Sequence, residues 1–190
     1  MNLKDGMLLY HGSYTPVERI DLGMCSDAKD FGKGFYLTSD LLQARSFVKS
    51  SVLKAKRHGA VAMDQEHGFI SSFRFHLVDD GLKIHTFQEA DREWLWFIAQ
   101  NRRSKYAAAL GSRFQTISDS DIIIGKVAND QTNPVITTYL NGLYGDIFSE
   151  EAIGDAIKRL MPEHLVDQYC FLTDKAIQCL KFQEARRYVG

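Results

Sequence analysis

The amino-acid sequence predicts an α+β fold in a single domain. Its 190 residues match the usual size of one domain, and 45% hydrophobic and 25% charged residues are an ordinary globular balance. Strand-like and helix-like segments follow one another without the regular alternation that marks a parallel α/β fold. Because no low-complexity or linker-like segment interrupts the chain, we assign residues 1–190 to one domain.

The first part of the chain contains two short predicted strands and one long predicted helix. Residues 7–12 and 34–38 are apolar runs bordered by glycine, which is typical of strands. The segment between them is rich in glycine and aspartate and is predicted as a loop. Ser39 or Asp40 can cap a helix that continues to about Arg57.

A hairpin and a second helix are predicted next. Residues 69–78 and 82–87 read as two strands, because the Asp-Gly pair between them is a strong hairpin signal. A helix is predicted over 88–104, with acidic residues in its first turns and basic residues in its last. Its Trp94 and Trp96 are two residues apart and cannot lie on one helix face. One of them should be the more exposed, or should be buried against a separate element.

The last part of the chain mixes strand and helix signals. Residues 120–128 form a β-branched run that is typical of a strand buried on both faces. Ser149 is placed to cap a helix. The other assignments are a short helix within 134–146, a helix over 149–165, a strand over 166–173, and a helix or strand over 174–189.

Composition limits the classes of function. A net charge of −1 does not indicate a general nucleic-acid binder, and three cysteines give no disulfide framework. Cys170 and Cys179 lie among apolar residues and are expected to be buried thiols. No segment has the apolar length of a signal-peptide core or of a membrane span, so we expect a cytoplasmic protein without a membrane partner. The histidines lack metal-ligand spacing, and no metal site is predicted.

Three pieces at predicted strand ends carry the chemistry-bearing residues. They read LYHGS at 9–13, FGKGFYL at 31–37 and DQYCFL at 167–172. Each alone is a weak signal, since a His-Gly pair at a strand end is commonly a turn. The chain contains neither GxxxxGK[ST] nor GxGxxG, so the standard nucleotide-binding loops are excluded.

Taken in order, the three pieces resemble the motifs of the ADP-ribosyltransferase superfamily, in its diphtheria-toxin and poly(ADP-ribose) polymerase branch. That branch places a His-Tyr-Glu triad on three separate strands. Its His-Gly-Ser/Thr motif is matched by His11, Gly12 and Ser13. Its Phe-Gly-Lys-Gly-Ile-Tyr-Phe motif is matched by residues 31–37. The resemblance implies a split mixed or antiparallel β-sheet core flanked by helices.

Two further positions complete the resemblance, and one of them departs from it. The second motif is followed after eleven positions by another aromatic residue, which here is Phe47. The third motif begins with a glutamate, where this chain has Gln168. The whole chain is more similar to a group of uncharacterised bacterial proteins placed in this superfamily, which carry close counterparts of EWLWFIAQNR and DIIIGKVAND and a Gln at the third position. Some of their genes lie beside small partner genes, which points to a toxin with a small antitoxin protein.

The resemblance assigns the motif residues to an NAD site. His11 would hydrogen-bond a hydroxyl of the adenosine ribose, and Gly12 would offer its backbone N–H and C=O to the nicotinamide amide. Ser13 would add a hydroxyl to that amide. Gly34 belongs to this cofactor-binding set through its backbone, since glycine allows conformations that other residues do not. Gln168 would reach the 2′-hydroxyl of the nicotinamide ribose.

The aromatic residues complete the assignment, and every residue also has a purely structural alternative. Tyr36 and Phe47 would stack on the two faces of the nicotinamide ring. As alternatives, His11 is a strand-end histidine, Tyr36 and Phe47 are core aromatics, and Gln168 is a surface residue at a strand start. His11, Tyr36 and Gln168 form the catalytic set that the resemblance implies.

The implied function is an NAD-dependent mono-ADP-ribosyltransferase that consumes NAD as its substrate. It would break the bond between nicotinamide and ribose and transfer ADP-ribose to a protein or nucleic-acid acceptor, as a bacterial toxin. Gln168 keeps an acceptor oxygen but lacks the charge of a glutamate, and the loss of one such electrostatic contact costs about 3 kcal/mol, or ~10²–10³ in rate. A weak NAD hydrolase and a non-catalytic NAD or ADP-ribose-binding module are therefore the alternatives.

Further charged residues lie near these motifs. Arg102, Arg103 and Lys105 are candidates to contact a nucleic acid or the NAD pyrophosphate. Asp167 and Glu163 are acids close to the third motif. On a strand, Asp167 would point to the face opposite that of Gln168.

Overall fold

The computed structural model describes residues 2–27, 29–78, 81–102, 115–126, 132–160 and 166–189. The strands within these ranges are β1 (Leu8–Ser13), β2 (Phe35–Thr38), β3 (His67–Phe75), β4 (Ile84–Thr86), β5 (Ile122–Lys126), β6 (Asp167–Phe171) and β7 (Leu180–Val189). The helices are α1 (Leu41–Arg57), α2 (Arg92–Arg102), α3 (Gln115–Ser118), α4 (Thr132–Leu140), α5 (Glu150–Leu160) and α6 (Asp174–Ile177), with a 3-10 turn at Leu22–Met24.

The seven strands form one mixed sheet in the order β4-β5-β6-β2-β1-β3-β7. β4 and β5 run parallel, and every other neighbouring pair is antiparallel. Helices flank this sheet, so the predicted α+β class and a mixed sheet with helices around it are confirmed.

The predicted hairpin between residues 69–78 and 82–87 is wrong. β3 pairs with β1 on one side and with β7 on the other, whereas β4 pairs with β5 at the opposite end of the sheet. Both edges of β3 are therefore occupied by other strands. The Asp-Gly signal describes only a local turn preference, and pairing with distant strands overrides it.

One face of the sheet carries most of the helices. α2, α4 and α5 bury a cluster that includes Trp94, Phe97 and Tyr139 against Ile123 and Cys170 of β5 and β6. The wide apolar contact between helices and central strands supplies the main hydrophobic stabilisation of this half.

α1 covers the β1–β3 part of that same face. Its Ala44 and Val48 pack on Ile70, with Tyr10 at the margin of the cluster. Tyr10 lies opposite Thr38, which shares a face with Tyr36 beside the α2 cluster. The four longest helices of the described ranges therefore lie on one side of the sheet.

The opposite face holds a second apolar cluster. Its strand residues include Leu9, Phe35, Leu37 and Phe171, and its cover comes from the segment around Leu22, the N-terminal residues and α6. Because β2 and β6 are buried on both faces, their side chains alternate between the two clusters.

Several local predictions are confirmed. The Asp40 carboxylate accepts from the backbone N–H groups of Leu42 and Gln43 and caps α1, and the Ser149 hydroxyl accepts from Ala152 at the start of α5. The segment 174–189 is mainly strand β7. Cys170 and Cys179 are buried free thiols.

Trp94 and Trp96 are both buried, and both belong to the cluster formed by α2, α4 and α5. Trp94 lies in the cluster beneath α2. The indole N–H of Trp96 donates to the Tyr139 hydroxyl of α4 at 2.8 Å. None of the helices in the described ranges combines the length and apolar character needed to cross a membrane.

Candidate active site

The three strands that carry the sequence motifs are neighbours in the sheet. β1 with His11 pairs with β2, and β2 with Tyr36 pairs with β6, which carries Gln168. Thr38 lies directly opposite Gln168, and Tyr36 comes two residues before Thr38. Tyr36 and Gln168 are therefore diagonal neighbours on one face of the sheet. The fold thus brings Tyr36 and Gln168 together on one face, whereas His11 follows Tyr10 in β1 and lies on the opposite face, against Phe35.

β1 and β2 separate just beyond their shared pair. Tyr10 lies opposite Thr38. At the next residue of β1, the His11 side chain makes the link instead, with its Nδ1 atom 2.8 Å from the backbone oxygen of Tyr36. The described residues of the two strands show no further pairing toward Ser13. The sheet is therefore split beside the His-Gly-Ser motif, and His11 spans the split.

The hydrogen bond of His11 sets the proton position on its ring. A carbonyl oxygen only accepts, so Nδ1 carries the hydrogen, and Nε2 of the neutral ring is an acceptor. The pKa of His11 lies below its ordinary value of 6.5, mainly because the ring is buried. The hydrogen bond to Tyr36 opposes this shift, and the charge of Lys29 adds to it. The ring also packs on Phe35, with centroids 4.5 Å apart. Nε2 is thus suited to accept a hydrogen bond from a ligand hydroxyl at neutral pH.

Gly12 lies directly beneath α1. A Cβ atom at this position would lie 2.2 Å from the backbone oxygen of Ala44 and 2.9 Å from the backbone nitrogen of Val48. The same position would be 3.0 Å from the Cβ atom of Phe47. The close approach of α1 therefore accounts for the glycine without a ligand, and it also places Phe47 at the motif.

Ser13 and Gly34 take less central positions. Ser13 is buried at the end of β1, opposite Phe69, and by strand alternation it shares a face with His11 and not with Gly12. A Cβ atom at Gly34 would lie 2.6 Å from the Cys170 sulfur. Packing of the β2 start against β6 therefore explains this glycine.

The Tyr36 hydroxyl is bound by its own loop. It accepts from the backbone N–H of Phe31 at 2.9 Å and donates to the backbone oxygen of Gly32 at 2.8 Å. Burial raises its pKa well above the ordinary value, and neighbouring Cys170 and Asp30 raise it further. Tyr36 is therefore unsuited to proton transfer, and its chemical use lies in the ring.

Gln168 is almost fully buried, and its amide orientation follows from its neighbours. The relative exposure of the residue is 4%. Nε2 lies 3.3 Å from Asp30 Oδ2 and 3.3 Å from the backbone oxygen of Lys126. Both partners are acceptors, so the amide nitrogen must face them. The oxygen Oε1 is left to accept from another donor.

The structure adds three polar residues that the motifs did not indicate. Asp30 is buried, and its Oδ1 atom accepts from the Nη2 and Nε atoms of Arg102 at 2.7 and 2.8 Å. Asn101 donates from Nδ2 to the backbone oxygen of Asp30 at 3.0 Å. α2 is thus tied to the start of the second motif. In the sequence, a charged residue beside a glycine turn is expected to be exposed. The one signal that could have pointed to Asp30 is its position directly before the second motif.

The remaining charged candidates lie apart from this cluster or outside the described residues. Arg102, suggested as a contact for a nucleic acid or pyrophosphate, is engaged with Asp30. Asp167 accepts from the Lys126 ammonium at 2.8 Å on the neighbouring strand, and alternation puts it on the face opposite Gln168. Residues 103, 105 and 163 lie outside the described ranges.

A cavity of about 320 Å³ opens beside the second motif. Its lining includes Phe31, Gly32, Asn101, Asp119 and Thr173. A group bound there would contact the loop that holds the Tyr36 hydroxyl. In the described part of the chain, His, Cys, Asp and Glu side chains form no group of three or more that would hold a metal ion.

Comparison with known proteins identifies the family. A family model described as "Protein of unknown function (DUF3990)" matches residues 7–182. The chain belongs to this family, and the match spans β1 through the first residues of β7. No match was found among curated proteins.

Proposed function

We propose that the protein is an NAD-dependent mono-ADP-ribosyltransferase with an ADP-ribosyltransferase-like split sheet. The observation that carries this proposal is the adjacency of β1, β2 and β6, with His11 spanning the split between β1 and β2. Such an opening beside backbone groups is a suitable place for a flat amide-bearing ring. The resemblance of the three motifs supplies the identity of that ring as nicotinamide.

The proposed reaction breaks one bond and forms one. The bond between C1′ of the ribose and the nicotinamide ring nitrogen breaks, and both electrons leave with nicotinamide. C1′ then carries developing positive charge. A lone pair of the acceptor forms the new bond to C1′, and the acceptor releases a proton. With water as the acceptor, the same steps hydrolyse NAD.

The polar residues of the site would hold NAD in place for this reaction. His11 Nε2 would accept from a hydroxyl of the adenosine ribose, and Gly12 would bind the nicotinamide amide through its backbone. Gln168 Oε1 would accept from the 2′-hydroxyl of the nicotinamide ribose. Fixing the ribose and the leaving group together lowers the entropic part of the barrier.

The aromatic residues would hold the ring. Tyr36 is anchored through its hydroxyl, so its ring offers a rigid face for stacking. Phe47 comes from α1, which lies on the same face of the sheet as Tyr36, and its Cβ atom lies close to Gly12. A ring held in this way keeps the breaking bond in one orientation.

A second function has one specific observation in its favour. Gln168 brings no charge to the site, so the positive charge that develops at C1′ lacks the contact that a glutamate would make. A weak NAD hydrolase or an NAD or ADP-ribose-binding module is therefore the alternative. The acceptor of a transferase would be a protein or a nucleic acid, and a small antitoxin protein would be its natural regulator.

Incubation with labelled NAD tests the proposal. Acceptors would include the protein itself, DNA and tRNA, and the readouts are label transfer, free nicotinamide and the melting temperature with NAD. We expect transfer and nicotinamide release. Binding without release selects the binding module, and release without transfer selects the hydrolase. No transfer, no release and no thermal shift would overturn both functions.

Two variants and one control locate the activity. We expect His11→Ala and Tyr36→Ala to abolish nicotinamide release, since one loses the ribose contact and the other a stacking face. His58→Ala is the matched control, because His58 is exposed at the end of α1. If His11→Ala retained wild-type release, the site would lie elsewhere.

A further inference from the structure

We propose that Asp30 is a positioning residue for Gln168, and that this acid–amide pair takes the place of the single glutamate in the third motif. The inference rests on the proposed function and explains how Gln168 can act in the position where the third motif has a glutamate. The contacts around Gln168 that define this pair lie within the described part of the chain.

The two oxygens of Asp30 have separate partners. Oδ1 is engaged by Arg102 at 2.7 and 2.8 Å, while Oδ2 faces Gln168 Nε2 at 3.3 Å. Asn101 holds the backbone of Asp30 from the preceding position of α2. The Asp30 side chain is 7% exposed, so water does not compete strongly for these contacts. α2 therefore fixes the carboxylate that faces Gln168.

These contacts explain why residue 168 is an amide. Its outer atom meets two acceptors, Asp30 Oδ2 and the backbone oxygen of Lys126. A glutamine donates to both and keeps Oε1 as an acceptor. A glutamate would set a second carboxylate against Asp30, and two carboxylates at this spacing do not both ionise. The glutamine is thus the residue that Asp30 requires.

The pairing also affects the chemistry of Oε1. An amide whose N–H groups donate to a carboxylate and a carbonyl is polarised, so its oxygen becomes a stronger acceptor. With its nitrogen held, the amide cannot flip, and Oε1 keeps one direction. The expected partner of Oε1 is the ribose 2′-hydroxyl of the proposed function, so Asp30 acts on that contact through Gln168.

A double-mutant cycle tests the proposal. The variants are Asp30→Asn, Gln168→Glu and the two combined, each measured for nicotinamide release from NAD and for melting temperature. We expect each single variant to lower kcat at least tenfold, with a smaller change in KM. In the double variant, the new amide at position 30 donates to the new carboxylate at 168. It should therefore be more active than either single variant. Its melting temperature should also fall by less than the sum of the decreases in the two single variants.

Asp27→Asn is the matched control. Asp27 lies three residues earlier in the same loop, and its side chain is 87% exposed. We expect wild-type activity and stability from it. The proposed role of Asp30 would be overturned if Asp30→Asn kept full activity, or if the double variant gained neither activity nor stability over the single variants. If the wild type released nicotinamide in the same assay, the proposed transferase function would still stand. A wild type without nicotinamide release or NAD binding would overturn the transferase, and with it the role of Asp30.

Discussion

At the scale of single residues, two polar side chains in the candidate site are oriented by acceptors on the protein. His11 donates from Nδ1 to Tyr36, and Gln168 donates from Nε2 to Asp30 and Lys126. In both, the donor side is used within the fold and an acceptor atom remains for a ligand. Ribose hydroxyls are donors, so two preset acceptors are what the proposed NAD site requires.

The lowered pKa of His11 predicts a pH dependence of stability. At pH 7.5 the ring is neutral in the folded and unfolded states. As the pH falls through the ordinary value of 6.5, the unfolded chain binds the proton first. The free energy of unfolding should therefore decrease with falling pH until the lower pKa of the folded state is passed.

Urea unfolding of the wild type and of His11→Gln between pH 7.5 and 5 measures this dependence. The variant should lose less stability over this range, because it has no ring to protonate. His58→Gln, at the exposed end of α1, is the matched control and should follow the wild type. Parallel curves for the wild type and His11→Gln would show that His11 is not held neutral by the fold.

At the scale of elements, the site depends on how closely α1 and α2 approach the motif strands. α1 lies on Gly12 without space for a side chain, and α2 holds Asp30 through Asn101 and Arg102. A helix packed so closely on a strand cannot slide along it, because protein interiors are densely packed. The helices therefore determine where Phe47 and Asp30 lie relative to the split.

Gly12→Ala tests the packing of α1. The added methyl group would meet the Ala44 backbone oxygen at 2.2 Å, and backbone cannot rotate away. We expect a loss of about 1–3 kcal/mol in the free energy of unfolding, from overpacking. Chemical denaturation followed by circular dichroism measures it.

Gly154→Ala is the matched control for this experiment. Gly154 lies in α5, and apart from its chain neighbours and the backbone of its own helix nothing lies within 4 Å of an added Cβ. The same substitution should stabilise the protein there by about 0.5–1 kcal/mol, since glycine weakens a helix interior. If both variants behaved alike, the close contact between α1 and β1 would be refuted.

At the scale of the whole molecule, one seven-stranded sheet joins the apolar clusters. β2 and β6 contribute side chains to both faces, so loss of one cluster exposes the backs of strands that form the other. The predicted single domain, residues 1–190, should therefore unfold as one cooperative unit.

Ile70→Ala tests this cooperativity. Ile70 packs beneath α1, and its truncation should cost about 2–4 kcal/mol. Trp94 and Trp96 are buried in the separate cluster beneath α2, so their fluorescence reports that half of the molecule. We expect Ile70→Ala to shift the fluorescence and circular dichroism transitions together. A fluorescence transition that stayed at its wild-type midpoint would indicate two independent units.

Local patterns determined much of the fold and named most of the candidate site. Polar residues before apolar runs located the starts of α1 and α5, at Asp40 and Ser149. The β-branched run of β5 is buried as predicted. The resemblance of the three strand-end motifs to a known family grouped His11, Tyr36 and Gln168, and the role of that group stays a prediction. Caps and apolar periods are properties of a few consecutive residues, so they can be read along the chain.

Tertiary structure alone decided the strand order and the partners of the buried polar groups. β3 pairs with β7 and not with the segment that follows it in the chain. Pairing with a distant strand overrides the local turn preference there. Asp30 is buried because Arg102 and Gln168, both distant in the chain, satisfy its oxygens. Burial of a charge depends on such partners, which local sequence does not show. The sequence by itself thus determined which residues form the motifs, and the long-range contacts decided how Gln168 is held among them.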